Sequence, residues 1–242
     1  MNNGFSVLAA LLVAIGLTAS GWFVGNGFMQ GRAADRFVTV KGVSERHVKA
    51  DIALWPLRFV ATHDDLRQAQ KKIESNNRTI VQFLEKYGIE ASKAELQTLE
   101  VTDILANPYR SGPITSRFIV SQTLMVRSED PELIRAASQK VGELVDAGVV
   151  LSSSHGPSGG PTYLYTRLSD IKPDMIAEAT ANARKAAEQF ALDSGSQISG
   201  IRRAHQGLFV IKPRDQSPGI IETNQLNKTI RVVTTIEYYL RG

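Results

Sequence analysis

Gly156-Pro157-Ser158-Gly159-Gly160 spells G-x-S-x-G, the letters of a nucleophile elbow, and His155 stands immediately before it. Such an elbow aims a serine oxygen from a sharp strand-to-helix turn, where a base can take its proton. Here Pro161 and the strand-like run YLYTRL follow instead of a helix, and a loop rich in turn formers accounts for the same letters. Ser169-Asp170-Ile171-Lys172 matches S-x-x-K, which puts a lysine one helical turn from a serine. The companion motifs of such enzymes are missing, and Pro173 follows at once, so helix capping by Ser169 or Asp170 explains the residues. His47, His63, His155 and His205 are scattered, with no i, i+4 or H-x-H spacing to present two imidazoles to one metal. The chain has no cysteine, which removes thiolate catalysis, thiolate metal sites and disulfides together. No glycine-rich phosphate loop is present. No catalytic residue, metal ligand or cofactor site is therefore nominated.

Three segments carry the period of a helix with one buried face and signals at both ends. Leu66, Ala69, Ile73, Ile80, Phe83, Leu84 and Tyr87 recur at three- and four-residue steps between Asp64 or Asp65 as cap and Gly88 as stop. Asp130-Pro131 opens a second helix that presents Leu133, Ile134, Ala137, Val141, Leu144 and Val145 and stops at Gly148. The third starts near Ser169 or Asp170, puts Ile176, Ala179, Ala183, Ala187 and Phe190 on one stripe, and ends before Gly195; its alanines imply close packing. Between the helices lie strand-like runs over 37–43, 48–61, 96–105, 117–127, 161–168, 198–212 and 229–240. Pro56 cannot donate to a ladder and belongs at a sheet edge or bulge. Adjacent strands allow hairpins, so the order predicts an α+β fold with antiparallel-rich sheets and about three packed helices. RTIVQFLEKYG and RKAAEQFALDSG place Arg, Phe and Gly at similar offsets, the trace of an internal duplication. Three connections could carry ligand or partner contacts: 107–113, 152–161 and 213–227.

The 242 residues are 43% hydrophobic and 21% charged, with a net charge of +4, and all 28 Lys/Arg and 24 Asp/Glu follow Gly31. Phe5 to Phe28 is an uncharged apolar run that would form a helix about 36 Å long, enough for a hydrocarbon layer of about 30 Å. Phe5, Leu12, Ile15, Trp22 and Phe23 are its anchoring residues, with the aromatic rings toward the far end. No basic leader precedes the run, so an uncleaved signal-anchor over 1–31 is expected, then a linker over 32–36 and an α+β domain over 37–242. Gly21/Gly25 and Gly27/Gly31 have small-xxx-small spacing. Arg32, Arg36 and Lys41 follow the helix, and a literal positive-inside count would put the domain in the cytoplasm. The basic excess sits in 196–242 without the interleaved aromatics of a nucleic-acid surface, and no nucleic-acid partner is expected.

VTVKGVSERHVKADIALWPLRF, RFIVSQTLMVRSEDPELI with GELVDAGVVL, PTYLYTRLSDIKPDMIAEATANARKAAEQFA and RVVTTIEYYL, taken in order, resemble the SIMPL-domain family. The resemblance implies an α+β envelope protein of bacteria with an N-terminal signal or anchor. It also implies the C-terminal portion in the periplasm, homo-oligomers, and links to envelope integrity and oxidative-stress protection without an agreed reaction. The leading expectation is a non-enzymatic, single-pass inner-membrane module that self-associates or binds envelope partners. A ligand sensor using loops 152–161 and 213–227, with His155, Ser158, Gly159 and Tyr163 at the contact, is the second. A serine hydrolase using Ser158, or Ser169 with Lys172, is the third.

Overall fold

The computed structural model describes residues 3–34, 36–106, 115–152 and 160–241, with side chains over 11–27 in the first helix. In chain order the elements are α1 (Asn3–Ala34), β1 (Phe37–Lys49), β2 (Ile52–His63), α2 (Leu66–Lys86), β3 (Ala94–Asp103) and β4 (Phe118–Ser128). They continue with α3 (Pro131–Ser138), α4 (Gly142–Asp146), β5 (Val150–Leu151), β6 (Thr162–Leu164), α5 (Leu168–Asp193), β7 (Gln197–Gln206), β8 (Val210–Pro213) and β9 (Asn227–Arg241). The fold is α+β with antiparallel pairing, and it divides into two compact units, one of 1–44, 174–209 and 232–242, the other of 45–173 and 210–231. Among the described residues four helices follow α1 where about three were expected, because the second of them breaks in two.

In the first unit α5 lies against strand backbone. Its buried stripe is Met175, Ala179, Ala183, Ala187 and Ala191, four residues apart throughout. Small side chains let the helix approach so closely that a Cβ on Gly42 of β1 would fall 1.8 Å from the Ala179 carbonyl oxygen, so only glycine fits. Ser44 Oγ donates to Glu178 at 2.8 Å, and Asn182 Nδ2 donates to the Val43 carbonyl at 2.9 Å, pinning the seam. Val40, Ala183, Ala187, Ile236 and Tyr238 form the core. Two expectations for α5 need correcting. Phe190 is 59% exposed, because strict four-residue spacing buries Ala191 and Met175 instead. Ser169 and Asp170 sit inside the first turn, since the helix already begins at Leu168.

The second unit is built on a sheet ordered β3-β4-β2, with β5 and β6 both paired to the far side of β2. Helix α2 lies over β2 and β4. Asp65 caps it by accepting from Gln68 N at 3.0 Å, and Gly88 at φ 79° ends it while Ile89 N bonds back to Leu84 O at 2.9 Å. Trp55, Phe59, Ile73, Ile80, Leu84 and Leu124 are the heart of the core, with Trp55 and Phe83 edge-to-face at 6.4 Å.

The second predicted helix breaks into α3 and α4. Asp130 caps α3 with Pro131 at its start, but the last turn tightens as Lys140 N bonds Ala137 O, and Gly142 restarts the chain so that Leu144 is buried. The expected break at 44–47 is absent. Those residues continue β1, with Glu45 paired to Arg231 and His47 Nδ1 2.9 Å from Thr229 Oγ1. The expected 198–212 strand is interrupted at Gly207, where a Cβ would meet Val233 O at 2.7 Å. The expected strand at 161–168 shortens to 162–164.

Among the described residues no helix is long and apolar enough to cross a membrane. Helix α1 is 32 residues long, and its described side chains are those of 11–27. Every one of these is exposed, including Leu12, Ile15, Trp22 and Phe23; that of Phe5 lies outside the described residues.

Candidate functional site

Strand β2 is paired along its whole length with β4, from Ala53↔Ser128 to His63↔Phe118, but on its other side the partners leave a gap. β6 takes Ile52 to Leu54 and β5 takes Phe59 and Val60, so among the described residues Trp55 to Arg58 face no strand there. Ser152 N donates to the Arg58 carbonyl at 2.8 Å, which fixes that carbonyl toward the gap. By strand alternation the Pro56 backbone faces the same way, so its missing N–H falls where no described strand lies opposite. The sequence placed Pro56 at a sheet edge or a bulge; it stands instead in a central strand, in unbroken register with Met125 of β4.

The gap opens into a cleft of about 360 Å³ walled by Trp55, Pro56, Leu57, Val141, Leu151 and Pro161. Arg58, Ser138 and Ser152 are its polar side chains. The Arg58 guanidinium is held by Glu100 at 2.6 Å and Ser121 at 3.0 Å. Ser138 Oγ donates to Arg135 O at 2.8 Å. Tyr163 lies in β6 and is buried in the core; burial pushes its phenol above the ordinary value, against a smaller opposing effect from Ser138. A lining that mixes apolar side chains with Arg58, Ser138 and Ser152 suits a small molecule with both apolar and polar parts.

Of the loop residues nominated from sequence, Tyr163 stands behind this cleft, while His155, Ser158 and Gly159 lie outside the described residues, as does 107–113. Ser152, Gly160 and Pro161, the described ends of the 152–161 loop, do line the cleft. Ser169 is exposed in the first turn of α5, three residues before Lys172. Among the described residues no group of three His, Cys, Asp or Glu could hold a metal.

Two groups that sequence reasoning passed over act as braces. Asp51 accepts from Thr166 N at 2.8 Å, Thr166 Oγ1 at 3.0 Å and Arg167 N at 3.2 Å, which ends β6 and aims the chain into α5. Lys228, with no exposed side-chain surface, donates to the Glu222 carbonyl at 2.8 Å and to the Glu222 carboxylate. The 213–227 loop is therefore tied to β9 from within. Lys228 shares the inward parity of Ile230, Val232, Thr234, Ile236 and Tyr238, and that parity was the available signal.

A family model described as SIMPL, protein of unknown function (DUF541), matches residues 38–233, well over half of the chain. The chain belongs to the SIMPL family. The match begins one residue into β1 and ends within β9, so it takes in the cleft, both braces and α5. No curated protein matches the chain. SIMPL membership brings a fold and a residue range without a reaction, and the cleft has to be read on its own chemistry.

Proposed function

We propose that this SIMPL protein is a non-enzymatic module held in the bacterial inner membrane by its N-terminal helix, with residues 37–242 in the periplasm. There it works by self-association and by binding envelope partners, in envelope maintenance and protection against oxidative stress. The observation that carries the reading is the apolar surface of α1, with Leu12 63%, Trp22 64% and Phe23 70% exposed. Leaving such side chains in water forfeits about 25 cal/mol per Å² of apolar surface, and lipid removes that cost. The basic count after the helix favours the opposite orientation, and the periplasmic placement follows the family resemblance.

The test is the mass of the full chain in detergent by light scattering with the detergent contribution separated. The expected protein mass exceeds 26.5 kDa; a sharp monomer across micromolar concentrations overturns self-association.

The cleft at the β2 gap favours a second reading, a sensor for a small envelope metabolite with apolar and polar parts. A ligand at 100 times its dissociation constant would stabilise the fold by about 2.7 kcal/mol, read as a thermal shift. Leu151→Trp, which fills the cleft, should abolish that shift.

A further inference from the structure

Strand β3 is the outer strand of its sheet, and both of its faces are exposed over most of its length. An open edge is a row of unpaired N–H and C=O groups and needs an explanation. In β3 the side chains supply one. The ladder to β4 runs Leu96↔Leu124, then slips by one residue, and resumes at Leu99↔Gln122 and Val101↔Val120. The bulge at 97–98 puts Leu96, Leu99 and Val101 on one face, the face that α2 covers over β2 and β4. These three are 49%, 44% and 48% exposed. The other face of β3 carries Glu95, Glu100 and Thr102.

We infer that β3 pairs antiparallel with β3 of a second copy, in a register centred on Leu99. This rests on the self-association reading and names its surface. The apolar stripe and Glu95 choose the register, while Glu100 is already held by Arg58 and Asp103 by Arg117. Centred on Leu99, with the bulge counted as one position in each copy, Leu99 meets the partner's Leu99, and Leu96 meets the partner's Val101. On the opposite face Glu95 then meets the partner's Thr102, and Glu100 meets the partner's bulge, Gln97 and Thr98. Three apolar contacts form and no like charges oppose. A slip of one pair inward sets Glu95 against the partner's Glu100, and a slip outward sets Glu100 against the partner's Glu100. Without the bulge, centring on Leu99 would set Glu95 against the partner's Asp103. The same patch serves both copies, as a two-fold interface requires.

The absence of cysteine in the chain makes the test direct. In cross-strand pairs the Cβ atoms lie about 4.5–5.5 Å apart, and the short end of that range admits a disulfide. The full chain carrying Leu99→Cys should run as a dimer on a non-reducing gel after mild oxidation. Leu96→Cys alone should not, and Leu96→Cys with Val101→Cys together should. Leu99→Lys, at a half-exposed position that leaves the fold intact by circular dichroism, should lose the dimer by opposing two ammonium groups. If the wild-type chain is monomeric, self-association and this interface fall together. If it is oligomeric while Leu99→Cys stays uncrosslinked, or Leu96→Cys alone crosslinks as well, self-association stands and the β3 interface is overturned.

Discussion

Lys228 and Glu222 form a pair whose members are unequal, so removing one or the other should have different consequences. The Lys228 side chain has no exposed surface, whereas Glu222 keeps 29%. Glu222→Ala leaves an ammonium buried without its counter-charge, a lesion that typically costs about 3–5 kcal/mol. Lys228→Met removes the buried charge and keeps most of the stem's volume. The carboxylate left behind reaches water, and the Glu222 carbonyl loses one donor, about 1 kcal/mol. The two variants should therefore differ by about 2 kcal/mol or more, roughly thirtyfold in the unfolding constant. With urea slopes of about 1–3 kcal/mol/M, midpoints should separate by about 1 M, Glu222→Ala being the less stable. Adding Lys228→Met to Glu222→Ala should recover most of the loss. Equal midpoints, or a lower one for Lys228→Met, would refute the argument that the desolvated lysine dominates.

Tyr238 Oη and Thr234 Oγ1 are buried with no hydrogen-bond partner among the described residues, so Tyr238→Phe should be neutral or stabilising in thermal melts, and a loss above about 1 kcal/mol would reveal a partner. Gly42→Ala drives a methyl into the Ala179 carbonyl and should cost about 1–3 kcal/mol or more, with unchanged stability refuting the close approach. Lys86, then Tyr87, hold the Glu143 carboxyl below the usual range; Arg117 does so for Asp103, and Lys49, then Arg135, for Glu132. Depressed carboxylates contribute stability above their unfolded values of about 4 that is lost as pH falls through the folded ones. Urea midpoints should accordingly hold near pH 5 and decline below about pH 4, and flat midpoints to pH 2 would contradict these pairings.

The helices were legible where pattern and punctuation agreed. For α2, an apolar period, Asp65 and Gly88 fix both ends locally, and the helix forms over Leu66–Lys86. Legibility failed where a tertiary contact decides. The polar letters of 44–47 separate two strand-like runs in sequence, yet Glu45 and His47 find partners across the sheet and β1 runs on. The shortening of β6 depends on Asp51, more than a hundred residues away in sequence from Thr166. Of the candidate site, Pro56 pointed to an edge or bulge but stands in a central strand, and the separate placing of β5 and β6 along β2 is a property of register that no local pattern carries. The β3 bulge is likewise invisible in sequence, where Leu96 and Leu99 fall on opposite faces by simple alternation.

Membrane tethering is tested most directly by one labelling experiment on the full chain. Leu208 is 87% exposed, and Leu208→Cys supplies a single thiol. The account predicts that a membrane-impermeant maleimide labels this variant in intact cells, and that the labelled protein sediments with the membranes and retains its first residues. Labelling only after lysis, or a labelled protein that stays in the soluble fraction without residues 1–31, would contradict it.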